Sequence, residues 1–385
     1  MTTQTATHPP GTPTATGTSW HSAHIYYYQP DKDALILDAI RPLLHRLRPV
    51  VDSAYLARHW RQGPHLRLHV RTDSHTWTTT VQPQLEHTIG TYLRAHPSTA
   101  TLDEHAELPT HLLLAQREQE NGPLTPWFPD NSIHYQPYDP RLHVLGDQQV
   151  ADLLTDYLAE STELLFDMLD HVRNAAGPEE LLGLKELLSM SLMLATSHIL
   201  APPITHSFIS YRSHAEGFLF GSTDPAATRA AFDQHYHTHR QALTDRVRAV
   251  IATLECRSAQ PVPFVSAWAA LLTTYADRAK PLIQAGLVYP KTSAPQPTDP
   301  PRAAFHQLMF GSRTYRERVF DDPDFHRYRV GLNFTYLQIN RLGLAPIQRM
   351  RTCHLAANAV EDIYGISAVD MIRTFVEQHP DRPPT

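Results

Sequence analysis

Arg58-His59-Trp60-Arg61-Gln62-Gly63-Pro64-His65-Leu66-Arg67-Leu68-His69-Val70-Arg71 is the stretch that decides the fold. Gly63-Pro64 is a turn signal, and strict alternation follows it: Leu66, Leu68 and Val70 on one side, His65, Arg67, His69 and Arg71 on the other. Successive side chains of a strand point to opposite faces, so this pattern is a half-apolar ribbon rather than a helix. With Ser53 to Trp60 before the turn, the segment predicts a β-hairpin. The charged face is either a solvated sheet surface or a binding surface for an anionic group.

Upstream, Trp20 to Gln29 is aromatic and β-rich (His24-Ile25-Tyr26-Tyr27-Tyr28), which predicts another strand. Asp31 can cap a helix whose apolar face is Leu35, Leu37, Ile40, Leu43, Leu44 and Leu47. Downstream, a second helix is expected over 76–93. The order βαββα points to a ferredoxin-like sheet with its helices on one face. Residues 121–145 are rich in Pro, Asn and Asp, with a possible strand from Ile133 to Tyr138. From Asp147 onward the periodicity is helical, with helices expected at 147–175, 179–199, 205–220, 225–255, 264–287, 323–341, 345–364 and 367–379. The expected class is α+β: a tail over 1–18, a strand-containing module over 19–145, and a mainly helical catalytic body over 146–380 that forms one continuous unit with it.

The 385 residues are 42% apolar, enough for a sizeable core, and carry a net charge of −6. That balance argues against a general nucleic-acid binder. The two cysteines, Cys256 and Cys353, build no disulfide framework and fit a reducing compartment. Met1 to Thr18 has no apolar core and reads as a disordered tail rather than a signal peptide. Leu181 to Ile204 is interrupted by Lys185, Glu186, His198 and two prolines, and reads as a buried helix rather than a membrane span. A cytoplasmic location follows as the expectation. Thr292 to Pro301 is a Pro-rich loop, either a plain linker or a lid over a cleft.

The sequence contains no GxxxxGK[ST], no GxGxxG after a strand, no GxSxG and no HExxH. His235, His237 and His239 form the nearest metal signal, but with no Glu or Cys beside them a solvated helix face is the default. Three helices carry polar stripes amid apolar residues: Ser207, Tyr211 and His214, with Ser210 and Ser213 alongside; Arg329, Asn333, Tyr336 and Asn340; and His354, Asn358 and Glu361. A polar group in such a setting costs about 1–3 kcal/mol if left unpaired. These stripes therefore bond to one another or face a wet cleft, where Tyr, His, Ser and Asn could act as general acids and bases.

Several of these segments together resemble a known family. Arg58-His59-Trp60 followed by Pro64-His65-Leu66-Arg67-Leu68, the opening Trp20-His21-Ser22, the segment Ser210-Tyr211-Arg212-Ser213-His214-Ala215-Glu216-Gly217-Phe218 and the terminal His354-Leu355-Ala356-Ala357-Asn358 are similar to the C-terminal (elimination) domain of lantibiotic dehydratases and thiopeptide-type bacteriocin biosynthesis proteins. The resemblance spans residues about 19–380. It implies one of two chemistries on a ribosomal peptide. One is elimination of glutamate from glutamylated Ser or Thr. The other is a formal [4+2] cycloaddition of two dehydroalanines, followed by aromatisation to a pyridine with loss of water and of the leader peptide as an amide. A non-catalytic peptide-binding subunit is a third reading.

In the eliminase pattern a basic residue follows the terminal His and Asn. Here Ala359-Val360-Glu361-Asp362 follows, while the segment Val330 to Tyr336 looks more like the cycloaddition branch. The pyridine synthase reading therefore leads, and it implies no cofactor, no nucleic acid and no membrane. The partners it implies are a precursor peptide with a leader and a dehydroalanine-containing core, and other enzymes of the same biosynthesis. Tyr336 is expected as the main acid or hydrogen-bond donor, with His214 and Ser213 nearby, Asn333 orienting the amide and Glu216 a candidate base. Arg58, Arg61 and Arg67, with Tyr211, Arg329 and His354, are expected to hold substrate or leader.

Overall fold

The computed structural model describes residues 17–175, 180–289, 295–296 and 302–381. The tail expected over 1–18, apart from residues 17 and 18, lies outside them, as does the Pro-rich loop of 292–301 apart from residues 295 and 296.

The expected hairpin is present. Strands β1 (Ser19–Tyr26), β2 (Ser53–His59), β3 (His65–Thr72) and β4 (Ser132–Gln136) form one antiparallel sheet in the order β2-β3-β1-β4. Leu56 pairs with Leu68 across the hairpin, and Ile25 with Leu66 across the next pair. This register puts Ala23, Ile25, Leu56, Leu66, Leu68 and Val70 on one fully buried face. Two helices cover that face. The first, α1, runs through Asp33–Leu35, Ile36–Ile40 and Arg41–Leu47; the second, α2, runs through Ser74–Thr76, Trp77–Val81 and Gln82–Ala95. Leu35, Ile36, Ile40, Leu85 and Ile89 are their fully buried contributions. At roughly 1.5–3 kcal/mol per buried aliphatic side chain, this layer alone explains why the register does not slip.

The opposite sheet face is not solvated. His65 is 0% exposed and His69 7%, and His24 stacks on His65 with ring centroids 4.8 Å apart. Phe128, Tyr138 and a helix absent from the sequence reading, α3 (Glu104–Glu118), help to close this side. Only His111 of α3 is buried, and Pro109 lies inside it, so it carries no apolar stripe to announce it.

The helical body follows the expected boundaries closely in α4 (Gln148–Ala175), α5 (Leu181–Leu200), α6 (Ile209–Phe220), α7 (Pro225–Leu254), α8 (Val265–Gln284), α10 (Pro323–Arg341), α11 (Pro346–Tyr364) and α12 (Ala368–Gln378), while α9 (Ala304–Gly311) is a short helix that the sequence pattern did not predict. The helix expected over 205–220 is split, with a single turn at Ile204–Ser207 before α6. Among the described residues no single helix is long and apolar enough to cross a membrane. The two halves are joined through Asp33, which pairs with Arg58 of β2 at 2.8 Å and with Lys185 of α5. Arg58 also donates to the Arg341 carbonyl at 2.9 Å.

Helix α10 is seated by a missing side chain. A Cβ at Gly331 would fall 2.2 Å from Leu200 Cδ1 of α5. Beside it Thr335 shares a 2.8 Å hydrogen bond with Thr196, to which Trp268 of α8 also donates. Gly331→Ala is therefore expected to destabilise the protein by about 1–3 kcal/mol through overpacking. Urea unfolding should also show the Gly331→Ala, Leu200→Ala double variant less destabilised than the sum of the two singles.

Candidate active site

Between α6, α9, α10 and α12 lies a cleft of about 980 Å³, at the upper end for small-molecule pockets. Its walls carry apolar and aromatic side chains, among them Met309, Phe310, Phe320, Phe325, Met371 and Phe375. They also carry polar ones, including Ser207, Ser210, Ser213, His214, His306, Tyr328, Arg329 and Asn333, with Arg318, Asp322 and Asp324 adding charge. Two of the three polar stripes thus meet at one cavity.

Neighbouring residues of α6 anchor two hydrogen-bonded pairs. His214 Nδ1 lies 2.5 Å from the Tyr336 hydroxyl of α10, and Ser213 Oγ lies 2.8 Å from His306 Nε2 of α9. Tyr336 also contacts Cys353 Sγ at 3.5 Å. Imidazole nitrogen is the far better acceptor, so the hydroxyl donates to Nδ1 and the ring proton sits on Nε2. Burial, helped by Arg349, His306 and Arg329, pulls the His214 pKa down to about 4. Burial also lowers that of His306 and holds the Tyr336 hydroxyl well above its usual value. All three are neutral near pH 7. On the adjoining wall Asn333 donates to the Tyr289 hydroxyl at 2.6 Å, and the Arg329 guanidinium stacks 4.1 Å over the same ring.

The model of the lantibiotic biosynthesis dehydratase C-terminal family matches residues 20–360. The chain belongs to that family. A solved pyridine synthase, TbtD from thiomuracin biosynthesis, is 34% identical, with 90% of this chain and 99% of that one covered at a TM-score of 0.73. TsrL shares the fold at 21% identity, covering 96% and 100% of the two chains at a TM-score of 0.69. The tRNA-dependent lantibiotic dehydratase MibB from Microbispora sp. 107891 aligns at 16% identity and a TM-score of 0.46, over 92% of this chain and 29% of that one. A search of curated protein sequences returns no significant match.

Not every residue expected at the site of this family member reaches the cleft. Tyr336 stands behind His214 rather than on the wall. Tyr211 is fully buried, bonded to Ser197 and to the Met193 carbonyl, and Tyr328 reaches the same Ser197 at 2.8 Å. The third stripe turns away from the cleft. His354 is 1% exposed and bonds Asp233 at 2.7 Å, while Arg212 bonds both Asn358 and Glu361 at 2.5 Å. Glu216 is held by both Nη atoms of Arg229, at 2.9 and 2.6 Å. Arg58 is spent on Asp33, Arg61 donates to the Asn121 carbonyl, and Arg67 donates to His65 Nε2 at 3.2 Å within the histidine layer. His235 and His239 do share a face, 4.7 Å apart, but no group of three metal-ligating side chains forms among the described residues.

The sequence reading missed His306 and Tyr289. One sign of His306 was available: Gly217 sits inside a helix, where glycine costs roughly 1 kcal/mol against alanine and so signals a close approach. A Cβ there would lie 2.9 Å from His306 Cε1.

The sheet histidines give a pH prediction. Burial, with Arg67 and Arg61 adding, lowers His24 to about 3, and burial holds His59, His65 and His69 well below the usual value. Between that low range and about pH 6.5 the unfolded chain binds more protons than the native one, so stability rises with pH across this window. Urea unfolding should therefore show stability falling as pH drops from 6.5 toward 4, and His24→Gln should flatten the slope.

Proposed function

We propose that the protein is a thiopeptide-type pyridine synthase, a tailoring enzyme acting on a ribosomal peptide that carries a leader and two dehydroalanines. The observation that carries this reading is the match along almost the full length of both chains to a pyridine synthase at 34% identity. The cleft supports it with neutral proton-handling groups and aromatic side chains on its walls.

In the proposed reaction one peptide amide becomes its imidic tautomer, losing the N–H proton and gaining one on oxygen. The resulting aza-diene adds to the second dehydroalanine, forming two C–C bonds. Loss of the hydroxyl as water and of the leader as an amide leaves the pyridine. The chain's own groups supply what these steps need. His214 Nε2–H faces the cleft as donor to the amide oxygen, and Tyr336 fixes that tautomer from behind. Asn333 orients the amide. Folding both dehydroalanines into one cleft removes much of the entropic barrier, since well-oriented intramolecular reactions gain about 7–11 kcal/mol at best. No cofactor enters this scheme. Leader recognition is assigned to the strand-rich module, which we read as ferredoxin-like on its βαββα order and strand sequence β2-β3-β1-β4. Of the candidate arginines Arg58, Arg61 and Arg67, Arg61 is held by the Asn121 carbonyl and Glu120 rather than by Asp33 or the histidine layer. Residues 19–145 and 146–380 are taken as two parts of one unit.

A leader-bearing peptide with two dehydroalanines should be cyclised with release of the leader amide, followed by mass spectrometry. Inertness toward it, with glutamate loss from a glutamylated peptide, would replace this reading by elimination. Tyr336→Phe should lower kcat by about tenfold or more while peptide binding changes little. Equal loss of rate and binding would mean that Tyr336 only supports the pocket.

A further inference from the structure

We propose that His306 is a positioning residue that works through Ser213 as a two-way proton relay, and that Gly217 exists to let its imidazole lie against α6. The inference rests on the pyridine synthase reading and adds to it a group that the sequence reading did not contain.

The geometry comes from two helices. Ser213 and Gly217 are one turn apart on α6, so they share a face. His306 enters from α9 and lays its ring across that face, with Cε1 over Gly217 and Nε2 at 2.8 Å from Ser213 Oγ. Ser213 and His306 both line the cleft. Their pair is separate from the Tyr336–His214 pair, which reaches the cleft from α10 through the next residue of α6. Glu216 and Arg302 are the charged groups acting on His306, in opposite directions. Burial outweighs these and the Ser213 backbone contact, which raises it, leaving a neutral ring; in the tautomer protonated on Nδ1, its Nε2 accepts from the serine hydroxyl.

The chemistry needs such a device. Making the imidic tautomer moves one proton from the amide nitrogen to the carbonyl oxygen, two atoms that no direct proton path joins well. In the relay, Ser213 Oγ takes the N–H proton as its own hydroxyl proton passes to His306 Nε2. The imidazolium then returns a proton through the same hydroxyl to the substrate oxygen. One N–H bond breaks, one O–H bond forms, and serine and histidine end as they began. No co-reactant or net charge is required. His214 serves a different purpose, because its Nδ1 is occupied by Tyr336 and its Nε2–H can only donate.

The decisive variant is Gly217→Ala. It keeps both relay residues and improves helix propensity, but its methyl group must displace the imidazole by several tenths of an ångström. Gly217→Ala, His306→Ala, His306→Gln and Ser213→Ala are expected to lower kcat on the bis-dehydroalanine peptide by about 100-fold, the low end for general acid–base catalysis. KM should stay within about threefold, and thermal melts should show folded protein. The His306→Ala, Ser213→Ala double variant should be no slower than the slower single, because both cut one chain. Multiplied losses, a wild-type rate for Gly217→Ala, or full activity in His306→Gln would overturn the relay. A readout free of turnover separates this from the proposed reaction. The 15N resonance of His306 Nε2 should shift in Ser213→Ala and in Gly217→Ala, and unchanged resonances would sink the relay even in an active enzyme. If wild type cyclises no peptide yet these shifts appear, the reaction assignment falls and the coupled pair stands.

Discussion

The close seating of α10 on α5 is the constraint on which the rest of the structure depends. With no side chain at Gly331, the backbone of α10 can rest against Leu200, and Thr335 one turn on reaches Thr196. At 100° per residue, Arg329, Asn333, Tyr336 and Asn340 lie on roughly the opposite side of α10 from Gly331. Pressing one side of the helix into the core therefore aims the other at α6 and the cleft. The same helix is pinned further along, where Arg341 donates to Ser161 at 2.7 Å and Thr162 at 2.6 Å. A helix held this firmly can present Tyr336 to His214 at 2.5 Å, a distance that tolerates little slack.

The two halves of the chain are coupled to this arrangement by charge. Asp33, Arg58 and Lys185 are mostly withdrawn from solvent, with side chains 12%, 14% and 10% exposed. Desolvated ions of this kind are weak contributors to net stability, but breaking one partner leaves a buried charge unpaired. Their value here is specificity of position: Arg58 also binds the Arg341 carbonyl, so the hairpin and the end of α10 are fixed to one another. Gly343, at φ +95°, makes room for that guanidinium, since a Cβ there would lie 3.0 Å from Arg58 Cζ. A sequence reading sees an arginine on a ribbon and assigns it to a ligand. The fold uses it as a bolt.

Periodicity made most of the architecture legible. Alternation in Leu66-Arg67-Leu68 gave the strand and its inward face, and apolar spacing gave the long helices to within a few residues at most ends. What periodicity cannot show is which polar residues of different helices meet. The stripes on α6 and α10 share a cavity; the one on α11 is consumed by Arg212 and Asp233. The pairing partner, Arg212, lies one residue from Ser213 and looks no different in sequence from a substrate-binding arginine. α3 was illegible for the opposite reason: its burial is confined to His111, so it carries almost no pattern. His306 was hidden because the glycine it packs against, Gly217, lies 89 residues earlier in the chain, and only a three-dimensional contact joins the two.

Among the buried imidazoles, those of the sheet and those of the cleft are kept neutral near pH 7 by burial. In the sheet, His24 and His65 stack on one another, and His65 is completely shielded. At the cleft, His214 and His306 also have lowered basicity, but they line an open cavity. A lowered pKa therefore does not by itself separate the sheet histidines from those at the cleft. Access does, together with a hydrogen-bond partner that leaves one ring nitrogen committed and the other free. Ser213 and His214 are consecutive on one helix, yet their partners come from helices on different sides, so the two pairs can be tuned independently.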